Sequence, residues 1–168
     1  MKTLKGFIAI LTITLATAFV AAAQVNLTSL DGKIVNVEGQ TGKVVVLAIG
    51  ASWLPLSGKQ AEYTNALAKK YAGKNVVIYF VATDSDNTHS KNFASADNVR
   101  KFAFDNKLNV TVLRDSDGAA TLKRFNVEQV PSFVILGKNG VQVGEPFGGI
   151  DPKYDVTIPI SKAIDKLL

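Results

Sequence analysis

Apolar and polar positions along the chain alternate between two rhythms. Val44-Val45-Val46-Leu47-Ala48-Ile49 is an unbroken β-branched run, and Val76-Val77-Ile78-Tyr79-Phe80-Val81-Ala82 is another. Runs of this kind predict strands covered on both faces. Phe133-Val134-Ile135-Leu136 and the shorter Val110–Leu113 read as further strands. Val25–Leu30 alternates apolar with polar residues and stops at Asp31-Gly32, a turn signal. Lys138-Asn139-Gly140 is an Asn-Gly hairpin turn, and it predicts an antiparallel return over Val141–Val143.

Between these runs the period changes to that of a helix. Leu56, Tyr63, Leu67 and Tyr71 fall on one helical face, with Lys59, Glu62, Lys69 and Lys70 mostly between them. Gly73 is placed to end that helix. Ser95 caps a predicted helix carrying Val99, Phe102 and Ala103. Asp115-Ser116-Asp117-Gly118 turns into a short predicted helix with Leu122 and Phe125. Ile160, Ala163, Ile164, Leu167 and Leu168 make the apolar stripe of a last helix. The order is strand, helix, strand, helix, strand, helix, hairpin, helix. That order predicts an α/β domain: a central mixed sheet, parallel strands with helices on both faces, and one antiparallel end.

The first 23 residues follow another logic. Met1-Lys2-Thr3-Leu4-Lys5 is basic, Gly6 to Val20 is mostly apolar, and Ala21-Ala22-Ala23 is small. This is the three-part pattern of a secretory signal, with cleavage expected after Ala23. The competing reading is a retained membrane anchor, for which the apolar run is short and carries Thr12, Thr14 and Thr17. The expectation is a signal peptide over 1–23 and one domain over 24–168. That domain would be exported, to a periplasm or outside the cell, with no stable membrane insertion.

Composition changes this picture in two places. The formal charge of +5 falls to 17 basic against 14 acidic residues once Lys2 and Lys5 are set aside. So mild an excess does not argue for nucleic acid. The chain also has no cysteine. That removes structural disulfides, thiol catalysis, zinc–thiolate sites and a lipidated N-terminal cysteine.

The missing cysteines matter because of what the motifs resemble. Gly42-Lys43-Val44-Val45-Val46-Leu47 followed by Ala51-Ser52-Trp53 is similar to the start of an exported TlpA/ResA-type redoxin of the thioredoxin-like superfamily. Val130-Pro131-Ser132 resembles that family's cis-proline loop. Asp115-Ser116-Asp117-Gly118, Phe125-Asn126-Val127 and Gly137-Lys138-Asn139-Gly140 stand where the family places comparable turns. The likeness covers roughly 27–168. It implies a thioredoxin-like fold and, for a typical member, thiol–disulfide exchange at a Trp-Cys-Pro-Pro-Cys helix start. Here the corresponding residues are Trp53, Leu54, Pro55, Leu56 and Ser57, and the two cysteine positions are Leu54 and Ser57. Many relatives of the ResA type carry a glutamate three residues after the second cysteine; that position is Gln60.

Thiol–disulfide exchange needs a thiolate and a second sulfur, and leucine offers neither. A serine hydroxyl is a poor nucleophile without a neighbouring base. The only histidine, His89, lies in a polar loop, and no Gly-x-Ser-x-Gly elbow surrounds Ser57. The resemblance further implies that Val130, beside Pro131, inherits a backbone contact to an extended substrate. Trp53 and Leu54 would then be apolar contacts, unless Trp53 packs in the core and Leu54 is a surface leucine without a role. The expected protein has no catalytic residue, metal or cofactor, and it binds a polypeptide partner. A thiol–disulfide oxidoreductase and a structural or assembly subunit are the alternatives.

Other motifs weigh less. Asp84-Ser85-Asp86 and Asp115-Ser116-Asp117 lack the glycine and glutamate of a calcium loop and read as aspartate-rich turns. Gly148-Gly149 is not followed directly by a helical pattern, so it is no phosphate loop. Asn26-Leu27-Thr28 and Asn109-Val110-Thr111 match the glycosylation sequon, which matters only in a eukaryotic host.

Overall fold

The computed structural model describes residues 24–168. The leader expected over 1–23 lies outside the described residues. The strands are β1 (Asn26–Ser29), β2 (Ile34–Asn36), β3 (Val44–Gly50), β4 (Val76–Ala82), β5 (Thr111–Arg114), β6 (Ser132–Leu136) and β7 (Phe147–Gly148). The helices are α1 (Ser57–Lys70), α2 (Ala96–Asp105) and α3 (Thr157–Asp165). Among the described residues no helix is long and apolar enough to cross a membrane.

All strands join one sheet in the order β2-β1-β5-β4-β3-β6-β7. The β-branched run of β3 is buried along its whole length, because it is paired on both edges and covered on both faces. It runs parallel to β4, which is parallel to β5; β6 lies antiparallel on the other edge of β3. The sheet is therefore mixed, with antiparallel pairs at both ends. In β4 the first two residues, Val76 and Val77, are only half-buried.

Alternation along β3 sorts its side chains into two cores. Val44, Val46 and Ala48 pack with Tyr63 and Leu67 of α1, Val99 of α2, and Ile160 and Ile164 of α3. Phe80 meets Phe102 at 5.5 Å between ring centroids. Tyr71, just after α1, donates its hydroxyl to the Ser161 carbonyl and the Asp165 carboxylate, tying α1 to α3. Burial holds that phenol above its ordinary pKa. Val45, Leu47 and Ile49 face the other way, onto Phe125 and Val127.

On that second face the covering segment differs from the expected short helix. A single 3-10 turn, Ser116–Gly118, gives way to irregular turns through Asn126. The Asp115 carboxylate accepts from the Ala120 and Thr121 amides and from the Thr121 hydroxyl. A side chain that captures backbone donors in this way competes with helix formation. The Ser95 cap forms as expected, accepting from the Asn98 amide.

The turn at Asn139-Gly140 also forms, but the return is brief. Gly137 donates to the Val141 carbonyl, and Gln142 bridges Leu136 in isolation. The antiparallel edge strand comes later, at β7, opposite Ser132 and Phe133. Gly140 has φ +77°, and a β carbon there would sit 2.0 Å from the Glu38 carbonyl oxygen. Gly42 has a similar φ of +80° with open space around it. Gly140→Ala is expected to lose well over ~1 kcal/mol and clearly more than Gly42→Ala, since only the former adds a backbone clash to the strain of a left-handed alanine. Equal losses in urea unfolding would show that the Glu38 contact contributes nothing.

Candidate functional site

The site is built at one end of the sheet. Ile49 of β3 stands opposite Ser132 of β6, so the loop leaving β3 and the loop entering β6 emerge side by side. The first carries Trp53 to Ser57 and the second carries Val130 and Pro131. The Val130–Pro131 peptide bond is cis. Strand β6 begins only at Ser132, so Val130 lies outside the ladder, half-buried.

The first loop winds tightly into α1. Leu54 donates its amide to the Ala51 carbonyl, and Ser57 donates to the Leu54 carbonyl. Trp53 is 50% exposed, Pro55 is exposed, and Leu54 and Leu56 are half-buried, with Leu56 resting on the core. Ser57 is fully buried, and its hydroxyl donates to the Ala51 carbonyl at 2.6 Å. That proton is committed to closing the turn. Among the described residues no titratable partner holds the Ser57 hydroxyl, and His89 is exposed on the loop after β4.

Gln60 occupies the centre. It is fully buried beneath the loop, and its Nε2 donates to the carbonyls of Ile49 at 3.1 Å and Ser132 at 2.9 Å. One amide thus clamps the ends of β3 and β6 together. Its Oε1 and the Ser132 hydroxyl are buried without hydrogen-bond partners among the described residues. A β carbon at Gly50 would lie 2.2 Å from Gln60 Oε1, so the clamp requires a bare backbone there.

Asp84 belongs to the site although its sequence marks only an aspartate-rich turn: it is fully buried. Its carboxylate accepts from the Ser52 amide at 3.0 and 3.1 Å and from the Ser52 hydroxyl at 2.5 Å. Thr83 likewise donates its amide and its hydroxyl to the Gly50 carbonyl. The β3–β4 register supplies what the sequence lacks. Val44 pairs with Val76 and Gly50 with Ala82, and the same offset of 32 carried onward sets Ser52 against Asp84. Among the described residues, no group of three or more His, Cys, Asp or Glu side chains is placed to share a metal ion.

A helix starts at Ser57, a cis-proline loop emerges beside the turn that leads into it, and a mixed sheet lies behind both. The Redoxin family model matches residues 15–155. The chain belongs to the Redoxin family. It is 27% identical over 118 residues to the thiol-disulfide oxidoreductase ResA of Bacillus thuringiensis subsp. konkukian, an alignment that covers 70% of this chain. The aligned part spans 62% of that relative's own length. Among solved structures, the exposed lipoprotein thioredoxin Etrx1 of Streptococcus pneumoniae superposes with a TM-score of 0.68 at 25% identity, covering 86% of this chain and all of that one. A secreted Mycobacterium tuberculosis disulfide oxidoreductase superposes with a TM-score of 0.62 at 24% identity, covering 86% and 96%. The second likeness carries the fold alone. This redoxin is therefore a thioredoxin-like α/β domain without a cysteine.

Two predictions follow from the geometry of this redoxin's site. Ser52→Ala removes one donor from a buried carboxylate and is expected to cost about 1–3 kcal/mol in denaturant unfolding. A loss near zero would mean that Asp84 is satisfied without it. Gln60→Glu puts an acid against two carbonyl oxygens, which favour its protonated form. Its pKa in the folded state rises above the ~4.3 of an unfolded glutamate. Below the unfolded value the neutral acid can still donate to one of the two carbonyls, and the deficit against wild type grows from there until pH passes the elevated folded value, above which it levels off. At pH 7 the loss should reach about 2 kcal/mol or more. A deficit independent of pH would refute the clamp.

Proposed function

We propose that this redoxin is redox-inactive and exported, and that it holds an extended or exposed polypeptide on the surface around Trp53, Leu54 and Val130-Pro131-Ser132. The observation that carries this reading is the division of the site into two halves. In the chemical half, Leu54 stands where the first sulfur would be, and the Ser57 hydroxyl is buried against the Ala51 carbonyl. In the docking half, Trp53 stays 50% exposed at the sheet end from which Val130 emerges. An exposed aromatic next to the Val130 backbone, which lies outside the ladder, suits an extended chain that hydrogen-bonds to that loop, since both edges of β6 are already paired.

Dithiol exchange, the activity in the name of the ResA relative, has no sulfur to run on here. Export is supported by the basic–apolar–small leader and by likeness to a secreted and an exposed lipoprotein homologue. A partner with exposed or extended backbone fits the site, and a nucleic acid does not fit the mild charge.

Trp53 is the only tryptophan and so reports on this surface alone. Titrating the protein with unfolded polypeptide is expected to shift its emission saturably, and Leu54→Asp should abolish the shift. A Trp53 signal that stays silent while already at short wavelength would mark a closed surface and turn the assignment toward an assembly subunit.

A further inference from the structure

A cleft of about 530 Å³ opens beside the proline loop, on the face of the sheet opposite α1. Glu128 and Gln129 line it from just before Pro131; Glu145 and Gly148 line it from the approach to β7. Ser132 forms its floor. Alternation along β6 puts the Ser132 side chain with Val134 and Leu136, on the face of Phe125 and Val127, which is the side of the cleft. Ser132 is 1% exposed, and its hydroxyl has no hydrogen-bond partner among the described residues. A buried hydroxyl left in this state is costly unless something completes it.

The walls carry charge of one sign. Glu128 and Glu145 are exposed, no lysine or arginine lines the cleft, and neither carboxylate makes an ion pair among the described residues. Gln129 lies across Gly148 of the edge strand and Gly149 just after it: a β carbon would meet its Nε2 at 3.1 Å from Gly148 and at 2.7 Å from Gly149. Its amide is thereby folded down as a further polar wall.

We infer that this cleft receives a basic side chain, lysine or arginine, of the bound polypeptide. The inference rests on the polypeptide-binding reading above and gives it a sequence preference. An extended chain passing Val130 points successive side chains to opposite sides. One would meet Trp53 and Leu54, and the next would enter the cleft between Glu128 and Glu145. A cation there pairs with the carboxylates that line the cleft through charge-assisted hydrogen bonds. Its stem passes beside the Gln129 side chain that lies over Gly148, and the Ser132 hydroxyl takes up a polar partner at the floor.

The test uses two extended peptides that differ at one position, lysine in one and norleucine in the other, with that position moved along the peptide. Trp53 emission reads the binding. The lysine peptide should bind at least about tenfold more tightly at one register. The ratio should fall toward one in Glu128→Gln combined with Glu145→Gln, and should persist in Asp97→Asn, which removes an exposed charge from α2. Ser132→Ala should weaken the lysine peptide severalfold. Equal binding of both peptides at every register would overturn the basic-side-chain inference and leave polypeptide binding standing. Failure of both peptides to bind would overturn both. Competition by n-butylammonium at concentrations as low as the peptide's would overturn the inference in another way, by making the cleft a site for small free cations.

Discussion

Seven successive residues of β3 pair in parallel with seven of β4, from Val44 opposite Val76 to Gly50 opposite Ala82. Every side chain of β3 is buried, so a slip of one residue would exchange its two cores. The register is thus held by burial on both faces at once, and it continues beyond the strands. Thr83 meets Gly50, and Asp84 meets Ser52. On the other edge of β3, Ser132 stands opposite Ile49. The turn carrying Trp53 and Leu54 hangs from this frame, with a carboxylate on one flank and the proline loop on the other.

Within that frame, the polar groups around the turn are engaged in holding it. The Ser57 hydroxyl closes the turn through the Ala51 carbonyl. At the position where many ResA-type relatives have an acid, an amide donates to two strand-end carbonyls. A carboxylate has no proton to give such carbonyls, while an amide has two. Ser57 and Gln60 are both explained here by architecture. What remains open to solvent is an aromatic ring on one side of the proline loop and an acidic cleft on the other.

Much of this was legible in the chain. The unbroken runs of β3, β4 and β6 mark strands, with β3 and β6 buried throughout, Ser95 marks the start of α2, and Val130-Pro131 marks a loop whose peptide bond is cis. What was not legible depends on partners far apart in sequence. Asp84 looks like any loop aspartate until the register brings it to Ser52. The segment after Asp115 has helical spacing at Leu122 and Phe125, yet the Asp115 carboxylate diverts its amides into turns. Strands β2 and β7 are three and two residues long and have no pattern of their own. The cleft draws on residues around 128 and 145, which only the β6–β7 pairing brings together.

Gly50 and Gln60 also constrain the paths by which such a protein can change. The space a side chain would need at position 50 is filled by the Gln60 carboxamide oxygen. Any larger residue at 50 must evict the amide and forfeit both of its carbonyl contacts. A shorter residue at 60 would free the space but release the two strand ends. Each position is neutral ground only while the other is unchanged, so the two are expected to covary as a pair. Reinstalling cysteines at 54 and 57 alone would bring back sulfur without the acid that many relatives keep beside it, and bringing back the acid means first surrendering the clamp.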